Sequence, residues 1–324
     1  MSNKQQEGRK WGPVSLLEGV SHVNVWTYMW AAFFAIGLLG FFNYGQSLVL
    51  KTILGIPEDQ LGDATKNLQT WAEIQAIIYI PIAGVLSDRY GRRIILVLGT
   101  LIFGLAFFLY PYAGSMMDLY LIRIIHAVGA AAMASTMATI INDYPKESDR
   151  GTFVGIGSVF NGLGVVTMIL VFGRLPVMLE NQGMAPDEAV RMAWLIIALI
   201  CVGAAIIFQL GLKGGTPSTY SQRIPLKTLF ADGIKAAKNP RIAYAYANSF
   251  AARADLTIIG IFVSLWAVKV APELDLSDAE AFEMSTASAA VASTVGLLWS
   301  PFMGIICDRM NRISAMTLAA FLAA

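Results

Sequence analysis

Charge is what this chain has least of: Asp, Glu, Lys and Arg make up 14% of its 324 residues, against about a quarter in an ordinary soluble domain. Its 22 acids and 23 bases nearly cancel, leaving a net charge of +1 and no overall field to attract nucleic acid or acidic partners. There are two histidines, His22 and His126, and two cysteines, Cys201 and Cys307. No H-E-x-x-H, no H-x-x-x-x-D and no Cys–His cluster occurs, so a metal site, a cofactor or an acyltransferase-like membrane enzyme finds no support. The cysteines fall in apolar runs and read as small fillers, not as a disulfide. No G-x-x-x-x-G-K-[ST] loop is present, which removes the sequence basis for direct ATP use. A secretory signal is also missing. The first apolar run is too long for one and lies behind a stretch carrying Lys4, Arg9 and Lys10.

What is abundant is apolar surface, at 56% of residues and a mean hydropathy of +0.61, too much for a soluble globular protein. It comes in runs near the roughly 20 residues that a helix needs to cross a bilayer. Spans are predicted at about Trp26–Leu50, Trp71–Ser87, Ile94–Ala113, Leu119–Ile141, Gly151–Leu175 and Val190–Leu212. Two more follow at Ile242–Val270 and Met284–Ile306, and Ile313–Ala324 reads as the start of a ninth. Residues 1–25 read as a polar lead-in, Glu58, Asp59 and Asp63 as an outer loop, and Pro81 as a kink. Sixteen of the 23 Lys and Arg fall on the side assigned to the cytoplasm, which orients the N-terminus inwards. Residues 213–240 form the one long linker. Leu226, Leu229, Phe230, Ile234 and Ala237 recur there at helical spacing, with Lys227, Lys235 and Lys238 off the stripe, the pattern of a helix on the inner membrane surface.

Between the second and third spans lies Gly84-Val85-Leu86-Ser87-Asp88-Arg89-Tyr90-Gly91-Arg92-Arg93, a tight charged turn. A weaker copy, Gly304-Ile305-Ile306-Cys307-Asp308-Arg309-Met310-Asn311-Arg312, sits far downstream between apolar runs. The first resembles the signature loop of the major facilitator superfamily, G-x-x-x-D-R-x-G-R-R, and the second resembles its partner in the other half. Arg123-Ile124-Ile125-His126-Ala127-Val128-Gly129-Ala130-Ala131 is similar to the superfamily's R-x-x-Q-G-x-G-A-A, with His126 and Ala127 departing from it. Asn161-Gly162-Leu163-Gly164-Val165-Val166 lacks the G-P pair usual in the superfamily's proton antiporters, which weakens a drug-antiporter reading.

The resemblance implies an all-α polytopic membrane protein of two six-helix halves related by a pseudo-twofold axis. Here it would comprise a complete first bundle (1–212), the linker (213–240) and an incomplete second bundle (241–324). It implies a secondary transporter working by alternating access, in contact with the lipid bilayer, a small-molecule substrate and protons, in a bacterial-type inner or plasma membrane. It also implies a cytoplasmic gate drawing on Gly84, Asp88, Arg89, Gly91, Arg92, Arg93, Gly304, Asp308, Arg309 and Arg312. Asp308 would meet the start of the fifth span near Gly151 and Thr152, and Asp143 would serve Arg89 or Arg92. The cavity-lining helices would contribute Asn43, Gln46, Arg123, His126, Asn248, Arg253 and Asp255.

An ion near the bilayer centre costs about 2.5–3.5 kcal/mol on insertion scales, so each buried charge needs a partner, water or a function. Arg253 and Asp255 point about 200° apart on one helix and cannot neutralise each other there. They serve either a wet cavity or an interhelical ion pair. His126 is either a group titrating near neutral pH or a packing residue. Two cations against one carboxylate lean towards a small organic anion or polar metabolite. Proton-driven export of amphipathic compounds is the alternative, and a transporter-like receptor a third.

Overall fold

The computed structural model describes residues 10–215, 226–247 and a subset of those between 291 and 321. Among them the chain is almost entirely helical. Six helices are long and apolar enough to cross a membrane. They are α1 (His22–Thr52), α2 (Glu58–Tyr90), α3 (Arg92–Leu109), α4 (Met116–Asp143), α5 (Arg150–Phe172) and, after a short α6 (Leu175–Asn181), α7 (Pro186–Gly211). The linker helix follows as α8 (Leu226–Ala236).

Helix starts are chemically marked. Ser21 caps α1 by accepting from the Asn24 amide at 3.2 Å, while the Asn24 side chain accepts from the Ser21 amide at 2.9 Å. Ser115 caps α4 through the Asp118 amide at 3.3 Å. Gly91 alone separates α2 from α3. Its φ of 98° lies where a side chain would be strained, which is why a one-residue turn is available here.

Two expectations are corrected. Glu58, Asp59 and Asp63 are not loop residues. They lie in the opening turns of α2, where acidic residues suit the positive end of the helix dipole, and the helix continues without a break through Pro81. The lead-in is not featureless either. Lys10–Trp11 (β1) and Val14–Ser15 (β2) pair as an antiparallel hairpin. Val14 and Leu16 are wholly buried, and Leu16 bridges to Pro145 in the turn between α4 and α5.

The most extensive helix pairings are α1 with α5, α3 with α4, α2 with α4 and α3 with α7. In lipid, burying a helix face removes no water, so close van der Waals contact must hold the bundle. Small residues permit that contact: a Cβ on Gly129 of α4 would lie 2.7 Å from the Phe103 amide of α3. Phe42, Phe103, Phe107, Tyr110 and Trp194 are buried together as one aromatic core, with Tyr110 and Trp194 stacked at 5.1 Å. Such pairs contribute about 0.5–1.5 kcal/mol each beyond simple burial.

Candidate functional site

The first centre is built around Arg123, two turns into α4 and wholly buried. Its guanidinium donates to Asn43 Oδ1 at 3.2 Å and to Gln46 Oε1, both on α1, and Tyr110 donates to the same Gln46 oxygen at 2.9 Å. The cation also sits 4.9 Å over the Phe42 ring and 5.9 Å from that of Tyr110. These hydrogen bonds go to neutral amide oxygens, so they orient the guanidinium without cancelling its charge. Gln46 is buried, whereas Asn43 is exposed.

His126 lies one turn further along α4. It is packed among Phe42 at 4.1 Å and Phe103 at 4.9 Å, with neither ring nitrogen bonded among the described residues. It therefore belongs to the aromatic wall behind Arg123. Tyr110 and Phe42 are contributors that sequence reasoning overlooked. Both read as ordinary aromatic residues of an apolar run, and only the fold sets them beside the cation. Asn248, Arg253 and Asp255 lie outside the described residues, as does Arg312.

The second centre lies at the other end of the bundle, where the two charged hairpins fall. Arg92 ion-pairs with Asp88 and donates through Nε to Asp143 Oδ2 at 2.8 Å. Asp143 thus holds Arg92, linking the α2–α3 turn to the end of α4. Arg93 lies against Gly214, just past α7. Across from them, Asp308 accepts from three donors at the start of α5: the Gly151 amide, the Thr152 amide and the Thr152 hydroxyl, each at 2.6 Å. A carboxylate at a helix N-terminus satisfies amides that the helix cannot, and it sits in the favourable end of the dipole. Gly304 crosses Gly151 closely enough that a Cβ on Gly304 would lie 2.6 Å from the Gly151 carbonyl oxygen and 3.1 Å from Gly155 Cα. No side chain larger than glycine's fits at that crossing. Arg309 is exposed.

Close by, burial pushes the Tyr144 phenol up to about 12, so it stays neutral while its oxygen accepts from the Lys213 amide at 3.2 Å.

Six apolar spans around a buried cation, with a charged end where separate parts of the chain meet, describe a multi-pass integral membrane protein. The chain belongs to the Major Facilitator Superfamily, whose sequence profile matches residues 24–324. It is similar to the magnetosome protein MamH of Paramagnetospirillum magneticum strain AMB-1, with 24% identity over 86% of this chain and 64% of that protein. It is also similar to the magnetosome protein MamZ of the same organism, with 28% identity over 86% of this chain and 44% of the relative. The chain thus spans between 44% and 64% of the length of these two relatives. Among solved structures, the proton:xylose symporter XylE bound to 6-bromo-6-deoxy-D-glucose matches with a TM-score of 0.54. That likeness, at 15% identity over 89% of this chain and 70% of the symporter, shows a shared fold.

Proposed function

We propose that this protein is a secondary transporter working by alternating access, moving a small organic anion or polar metabolite together with protons. The observation that carries this reading is Arg123: a buried cation held by neutral amides, with an exposed Asn43 marking the way in. A guanidinium placed like this is a ready counter-ion for a carboxylate or phosphate group entering the membrane interior. Membership of the superfamily and the shared fold of a proton-coupled symporter support the transport class. In this reading residues 1–212 form the first bundle and residues 241–324 belong to the second, joined by the linker 213–240. The N-terminus faces the cytoplasm of a bacterial-type inner membrane, and the Asp308 contact latches the inner end.

A second reading, export of amphipathic compounds, draws on the exposed Trp26 and Trp30 of α1, the latter stacked on Phe34 at 5.5 Å. A thermal-shift screen of the intact protein separates the two. Organic anions should raise the melting temperature of the wild type and lose that effect in Arg123→Lys, because an ammonium cannot reproduce the two-pronged geometry. Stabilisation by amphipathic cations, unchanged in Arg123→Lys, would favour export instead. For coupling, uptake into proteoliposomes should fall when the proton gradient is collapsed and vanish in Asp255→Asn. Gradient-driven uptake persisting in that variant would remove Asp255 from the mechanism.

A further inference from the structure

Helices α1 and α4 are each capped by the side chain immediately before them, Ser21 and Ser115. Helix α5 is not. The residue before it is Asp149, a carboxylate well suited to the task. Yet the amides that a cap normally takes, those of Gly151 and Thr152, are occupied by Asp308. Asp149 instead accepts from the Ser15 amide of the N-terminal hairpin at 2.7 Å. The same strand residue accepts from the Lys146 amide at 2.8 Å, and the Leu17 amide donates to the Tyr144 carbonyl at 2.9 Å. The hairpin thus grips both ends of the short 3-10 turn, Glu147–Asp149, that leads into α5. Trp11 seals the grip by packing edge-on to Phe153, one turn into α5.

We propose that the start of α5 is an exchangeable cap, contested by Asp149 from its own chain segment and Asp308 from the second half. The N-terminal hairpin acts as the device that decides between them. With Ser15 bound, the turn stays wound and Asp149 faces away, leaving the two amides to Asp308, and the inner end is closed. When Ser15 lets go, the turn opens into the extended backbone of a helix cap. Asp149 then takes its own amides, and Asp308 is released without leaving α5 uncapped. The exchange keeps both amides bonded and gives up only the Thr152 hydroxyl and Ser15 amide bonds, which lowers the cost of unlatching. It also makes residues 10–20 a control element of the inner end. This inference rests on the alternating-access reading and adds a component to it.

The test is a distance measurement on the intact protein in nanodiscs, with both native cysteines replaced and spin labels at Asn142→Cys and Met310→Cys, exposed positions on either side of the contact. Ser15→Pro removes the amide that holds Asp149 and should lower the ratio of short to long distances about three- to tenfold, the usual worth of a helix cap. Asp149→Ala removes the competitor and should raise that ratio. Ser15→Pro added to Asp149→Ala should then change nothing further, and Ser15→Gly, which keeps the amide but loses the hydroxyl contact to Asp149, should fall between wild type and Ser15→Pro. If Asp149→Ala lowers the ratio as Ser15→Pro does, the hairpin is mere scaffolding and the proposal is overturned. The sign of the Asp149→Ala effect decides this even if Ser15→Pro does not fold. Asp308→Ala is the control on the underlying reading. If it leaves the ratio unchanged, the latch itself is refuted and the exchange with it. If it lowers the ratio while Asp149→Ala does not raise it, the latch stands and the exchange alone fails.

Discussion

The two charged hairpins share a Gly and an Asp at the same spacing, yet each Asp meets a different partner. Asp88 has a side chain 47% exposed and pairs with Arg92 one turn away, which in turn bonds Asp143. All three residues lie at the α2–α3 turn and the end of α4. Asp308 reaches out of its own segment to two amides and a hydroxyl at the start of α5. The glycines diverge in parallel. A Cβ built on Gly304 would strike the Gly151 carbonyl, whereas one built on Gly84 meets nothing within 4 Å among the described residues. The hairpin does not carry its role within itself. Whether it clamps its sequence neighbours or ties distant segments together depends on whether a helix N-terminus comes close enough for its amides to be reached, and only a glycine on the facing backbone allows that approach.

The comparison breaks most readily at the carboxylates. Asp308→Ala removes a charge-assisted acceptor of three hydrogen bonds at a packed interface. It should cost this contact roughly 2–4 kcal/mol, read as lost short distances between spin labels across it. Asp88→Ala removes one half-exposed ion pair and should cost under about 1 kcal/mol in melting experiments. Equal effects would show that the hairpins are interchangeable.

Next in size are the glycines. Gly304→Ala forces a methyl into the Gly151 carbonyl and should lower stability by about 1–3 kcal/mol, the usual penalty of overpacking. Gly84→Ala, on an open stretch of α2, should be neutral or stabilise this 324-residue chain by about 0.5–1 kcal/mol through helix propensity. A destabilising Gly84→Ala would mean that a second helix crosses there.

How much of this was legible beforehand depends on which physical constraint wrote the signal. The bilayer demands long apolar runs, so the six spans stand out with ends within a few residues, except that α2 begins 13 residues before the expected Trp71. Charge, by contrast, misleads at the boundary. Glu58, Asp59 and Asp63 read as loop because they are acidic, although a helix N-terminus welcomes acid. The pairings of Arg123 with Asn43 and Gln46 link residues about 80 apart, and only burial of the cation hinted that partners had to exist. Tyr110 gave no such hint. The hairpin at Lys10–Ser15 was illegible for a different reason: strands of two residues have no periodicity to detect. Its meaning comes entirely from docking against the α4–α5 turn.

The smallest expected effect sharpens the comparison by its dependence on salt. Arg92 and Asp143 form a partly exposed pair, with side chains 15% and 43% accessible. Asp143→Asn should therefore lower the melting stability by only about 0.3–1 kcal/mol at low ionic strength. At about 1 M salt the screening length shrinks to about 3 Å, and most of that difference should disappear. Asp308 behaves otherwise, because its partners are a hydroxyl and backbone amides fixed at 2.6 Å, not a mobile opposite charge. Its contribution comes from short-range hydrogen bonds at a part-buried helix end. The cost of Asp308→Ala should therefore survive the same salt increase nearly intact. Melting both variants against wild type across a salt series checks this directly. Were the Asp308 effect to fade with salt as the Asp143 effect does, the contact would have to be a diffuse attraction between charged surfaces, and the close fit of Gly304 against Gly151 would be incidental to it.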